Sequence, residues 1–69
     1  MAADSDLIAF GKTVRRLRTE RGISQEELAE LAGLHRNYIG GIERGERNVG
    51  LKAVFSLARG LGVKAAELF

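Results

Sequence analysis

Residues 35–48 read HRNYIGGIERGERN and gather the side chains of this chain best suited to gripping an anion or a base edge. Arg36, Arg44 and Arg47 carry guanidinium forks whose donor geometry matches phosphate and the O6/N7 edge of guanine. Asn37 carries an amide, which pairs in bidentate fashion with adenine. Stepping about 100° per residue turns Ile39 and Ile42 inward and places Arg36, Asn37, Gly40, Gly41 and Arg44 on the opposite side. Two adjacent glycines in a helix interior cost about 1 kcal/mol each against alanine. Their presence on that face predicts a neighbour lying very close to the backbone, such as a groove edge or a phosphate strand. The plainer alternative is a solvated surface helix, which would favour Glu, Lys, Ala or Gln over Asn-Gly-Gly.

The elements that must position these residues are legible from glycines and caps. Gly22, Gly33, Gly45 and Gly62 each follow an apolar helical pattern, where a left-handed residue closes a helix. They divide the chain into five helices. The first, about 6–21, carries Leu7, Phe10, Val14 and Leu17 on one stripe. The second, about 25–32, is announced by Ser24-Gln25-Glu26-Glu27, a capping box in which Ser24 and Glu27 satisfy each other's amides. The third covers about 36–44. The fourth, about 51–61, is expected to bury Leu51, Val54, Ala58 and Leu61, and a short fifth ends at Phe69. Ile23/Leu28, Leu34/Ile39, Val49/Val54 and Val63/Leu68 repeat the spacing of a hydrophobic staple around the caps Ser24, His35, Gly50 and Lys64. Lys64 is a poor cap, so the fifth helix is expected to fray. The fold class is all-α, a compact five-helix bundle forming one domain over 1–69. A short helix, the turn Ala32-Gly33-Leu34-His35 and a second helix make a helix-turn-helix, whose second helix can enter a DNA major groove.

Totals narrow the function further. The chain has 69 residues, no Cys, one His and a net charge of +2. That leaves no disulfide framework and no thiolate or His-based zinc site, so no metal and no cofactor is expected. No stretch approaches a membrane span, and the polar, acidic start MAADSD is neither signal nor transit peptide. A cytoplasmic location is the expectation. No nucleophile–His–acid set or phosphate-cradling glycine loop is present, so the chain is not read as an enzyme. Glu26, Glu27 and Glu30 are read as a solvated acidic face, the first two favourable to the helix dipole. A chain this small without staples gains stability most readily by oligomerising.

The combination Ser24-Gln25-Glu26-Glu27-Leu28-Ala29, Gly33-Leu34 and Ile39-x-x-Ile42-Glu43-Arg44-Gly45 resembles the Xre family of helix-turn-helix proteins, which includes Cro and the lambda repressor DNA-binding domain. The resemblance runs from about Phe10 to Phe69. Within that family, the run from His35 to Arg44 followed by Arg47-Asn48 is most similar to the controller proteins of restriction–modification systems. The resemblance implies a dimeric transcriptional regulator that sets the third helix of each copy in the major groove of a pseudo-palindromic operator. Arg36, Asn37 and Gly40 fall at base-reading positions, with Gly40 and Gly41 standing where many relatives carry Ser or another polar residue. Gln25 falls where relatives hold a phosphate and brace the third helix. Arg44, Arg47 and Asn48 fall where relatives grip the DNA backbone. Lys52 opens the fourth helix, whose N-terminal amides suit a phosphate. Tyr38 is either a packed core tyrosine or a phosphate or thymine-methyl contact. Arg18 and Glu43 fall where relatives form a partly buried ion pair. Phe55 and Phe69 are the candidates for the dimer contact. The family usually has Pro where this chain has Val49. An activating regulator would add RNA polymerase as a partner. The alternatives are an Xre-type repressor of a phage or mobile element, and an antitoxin-like module whose exposed face binds protein.

Overall fold

A computed structural model describes residues 4–69; residues 1–3, the start of the acidic MAADSD run expected to carry no targeting signal, lie outside it. Local signals set each helix boundary. The Asp4 carboxylate opens α1 (Ser5–Glu20) by accepting from the amides of Asp6 and Leu7 at 2.9 and 3.2 Å. The capping box opens α2 (Gln25–Ala32): Ser24 Oγ accepts from the Glu27 amide at 3.0 Å, and Glu27 accepts from the Ser24 amide at 2.9 Å. At α3 (Arg36–Glu43) the cap is His35, whose Nδ1 accepts from the Asn37 amide at 3.1 Å. Gly50 starts α4 (Leu51–Leu61) without a side-chain bond.

Beyond α4 the chain forms a single 3-10 turn, Ala65–Leu68, in place of the fifth α-helix expected there. Lys64 offers no side-chain acceptor, and the turn tightens onto i→i+3 bonds, Glu67 to Lys64 at 2.9 Å and Phe69 to Ala66 at 3.3 Å. The turn is tied down where fraying was expected: the Glu67 carboxylate accepts the Lys64 amide at 2.7 Å and Leu68 is fully buried. The inner member of every staple pair, Leu28, Ile39, Val54 and Leu68, is buried in one core, and the outer members pack against it. No strand occurs among the described residues, and no helix is long and apolar enough to cross a membrane.

One placement differs from the sequence reading, and one close contact was not singled out by it. Leu51 is 71% exposed because it occupies the first turn of α4, beside an apolar groove, and Leu57 completes the buried stripe with Val54, Ala58 and Leu61. Gly11, on the buried face of α1, marks where α1 crosses α3 backbone to backbone: a Cβ there would strike the Ile42 carbonyl oxygen and lie 2.8 Å from that of Glu43. This contact holds α3 against α1, the longest helix of the fold.

Candidate nucleic-acid interface

The turn between α2 and α3 closes on Gly33, left-handed at φ +69°, and on a 2.8 Å bond from the Leu34 amide to the Ala29 carbonyl. It delivers α3 with an unusual division of labour along its length. Arg36 and Asn37 in the first turn are exposed, while every residue from Ile39 to Glu43 is buried. A helix that projects its N-terminal turn and packs the rest is shaped for insertion end-first into a groove.

The buried end is fixed by polar chemistry. Glu43 accepts from Arg18 Nε at 2.6 Å, from Arg18 Nη2 at 3.0 Å and from Gln25 Nε2 at 3.1 Å. Arg18 Nη1 donates in turn to the Ile23 carbonyl at 2.9 Å. The Glu43 side chain is 3% exposed and that of Arg18 12%, so this is an interior ion pair that ties α1, α2 and α3 together. Hydrogen bonding to Glu43 pushes the Arg18 pKa above its ordinary value; burial opposes this, and the charge of Glu43 adds to it. The guanidinium is therefore held charged, and no buried side-chain polar atom among the described residues lacks a partner. Gln25 thus braces α3 through Glu43.

The glycine pair does not present the open backbone expected of it. Gly40 and Gly41 are both buried. Arg44 lies back over Gly40, where a Cβ would sit 3.1 Å from its Nη1 and 3.5 Å from Gln25 Oε1. The stem of Arg47 lies over Gly41, where a Cβ would sit 2.7 Å from its Cγ. The close neighbours are the chain's own arginines, which the loop after α3 folds over the helix. Gly40, taken from the sequence as part of an exposed reading face, is here the floor beneath Arg44.

Two carboxylates at this face escape the sequence reading. Glu26, expected on a solvated surface, accepts from Arg36 Nη1 at 2.6 Å. Glu46 accepts from Arg44 Nε at 3.0 Å. Arg47 makes no ion pair among the described residues, and it is exposed, as are Asn48 on the loop and Lys52 in the first turn of α4. Tyr38 is half-buried with its ring against the core. Phe55 and Phe69 are 47% and 83% exposed but line different grooves, Phe55 with Leu34 and Phe69 with Leu51 and Phe10.

A helix-turn-helix family model matches residues 14–68. Control protein C.SmaI of Serratia marcescens is 47% identical over 59 residues, which is 86% of this chain and 70% of that protein. The restriction–modification controller protein C.AhdI from Aeromonas hydrophila superposes with a TM-score of 0.94 at 52% identity, over 96% of this chain and 100% of that one. The controller protein C.Esp1396I, solved as a tetramer in complex with its natural 35 base-pair operator, superposes with a TM-score of 0.89 at 35% identity, over 96% and 87% of the two chains.

Proposed function

The chain belongs to the Xre-type helix-turn-helix family, and from that membership we propose that it is a dimeric, sequence-specific transcriptional regulator of the restriction–modification controller type. The observation that carries the reading is the projecting first turn of α3, Arg36 and Asn37, on a helix anchored by the Arg18–Glu43–Gln25 network. In this scheme Arg36 and Asn37 read base edges in the major groove. Arg44 and Arg47 swing from their resting places over Gly40 and Gly41 to phosphates, uncovering the glycine pair so that a groove wall can approach. Gln25, Asn48, Lys52 and the edge of Tyr38 complete the grip on the backbone, which supplies affinity and register but no sequence information. The dimer forms through the outward face of α4 and the adjoining C-terminal turn. Three large apolar side chains, Leu51, Phe55 and Phe69, are left exposed there.

Selection from a random duplex pool, with affinity followed against salt, tests this. A two-fold-symmetric motif with half-sites about one helical turn apart is expected. Recovery of no motif, with weak binding that vanishes at physiological salt, would remove the operator-reading role and leave a protein-binding module as the function of the exposed face.

A further inference from the structure

We infer that Glu26 positions Arg36 for base reading, so that specificity is set by a carboxylate on α2 as well as by the recognition helix; the inference rests on the operator-reading role proposed for α3. Glu26 Oε1 takes a 2.6 Å bond from Arg36 Nη1 across the inter-helix turn. The side chains are 69% and 59% exposed, and a pair so open to water contributes little to folding. Its geometry suits recognition better than stability. A guanidinium carries its donors in one plane, and a bidentate bond to guanine uses an adjacent pair of them. Glu26 engages one nitrogen, and Arg36 makes no other side-chain hydrogen bond among the described residues, so Nε and Nη2 keep a donor edge open.

The anchor stands on a well-capped helix start. Glu26 is the second residue of α2, where the partial positive charge of the helix start favours a carboxylate, and the capping box beside it fixes the backbone. Docking in a groove strips water from the pair and strengthens an attraction that is weak in bulk solvent. The carboxylate acts in a second way with the same sign. It stands where a phosphate attracted to Arg36 would come, so Arg36 gains less from a wrong site than from a correctly placed guanine.

The same random-pool selection, run side by side with wild type, Glu26→Ala and Glu26→Gln at one ionic strength, tests this. In Glu26→Ala the motif should lose preference at one guanine of each half-site by about three- to tenfold, part of what a full bidentate contact is worth. The other positions should hold, the melting temperature should be unchanged, and non-specific affinity should rise because a negative charge has gone. Glu26→Gln keeps a carbonyl acceptor and should be intermediate at that position. An unchanged motif in Glu26→Ala, or equal flattening at every position, would overturn the positioning role while leaving the regulator reading intact. A wild-type protein that selects no motif would overturn both.

Discussion

Gly41 and Arg47 form a pair in which a missing side chain on one residue sets the path of the other. The two have opposite demands on substitution. Alanine at 41 should favour the helix by up to about 1 kcal/mol. Its methyl would nonetheless occupy the place where the Arg47 stem rests, 2.7 Å from Cγ. The stem is flexible, so the fold accommodates the change and Arg47 is displaced. Gly41→Ala should therefore leave the melting temperature unchanged or slightly raised, yet weaken DNA binding, because its methyl stands where a groove wall would close once Arg47 has swung to a phosphate; Arg47→Ala should weaken binding to all duplexes alike. Arg47→Ala should also lower the slope of log affinity against log salt by about 1. Normal DNA affinity in Gly41→Ala would show that no groove wall closes on the glycine pair. The sequence signalled that something must approach these glycines closely. It could not say that the neighbour was internal, because that depends on how a loop folds back.

At the scale of elements, the last turn of α3 is where the fold is most exposed to damage. Removing the Glu43 carboxylate leaves Arg18 charged and largely enclosed, and frees Gln25 from α3. Breaking an interior ion pair in this way costs about 3–5 kcal/mol. For a domain of this size the lower figure corresponds to about 12–24 °C in melting temperature. Glu43→Ala should show that loss by thermal melt; a shift within a few degrees would mean the pair is not a structural tie. The boundaries of α2, α3 and α4 were readable because caps, staples and terminal glycines act over a handful of residues. Ser24, His35, Gly50 and Lys64 stand where the sequence placed them. The contacts that join elements were less visible. Gly11 has meaning only once α3 lies across α1, and the Glu26–Arg36 bond spans ten positions between side chains that could each have been solvated. The resemblance, rather than spacing, supplied the Arg18–Glu43 pair.

For the whole molecule, the exposed apolar side chains on and beside α4 are the part a lone chain handles worst. Phe69 is divided between roles: its ring packs on Phe10 with centroids 5.5 Å apart while most of its surface faces outward. Leu51 is the cleaner probe, being exposed and outside the core. The melting temperature of the wild type should rise with protein concentration, as it must when association stabilises the folded state. Leu51→Glu should abolish that dependence and weaken operator binding while leaving the helical circular-dichroism signal intact. A wild-type melt independent of concentration would argue against the α4 face as a dimer contact.

The separation along α3 between a projecting first turn and a buried remainder has a consequence for how such a protein changes over generations. Positions 36 and 37 support no core, so they are free to drift, and under the base-reading role proposed for them the recognised sequence would drift too. Ile39, Ile42 and Glu43 are tied into the core and the Arg18–Gln25 network, and change only together with α1 and α2. Two copies of the gene in one cell could thus acquire separate targets through a few codons, those of 36, 37 and the Glu26 that pairs with 36, each keeping the inherited scaffold unaltered.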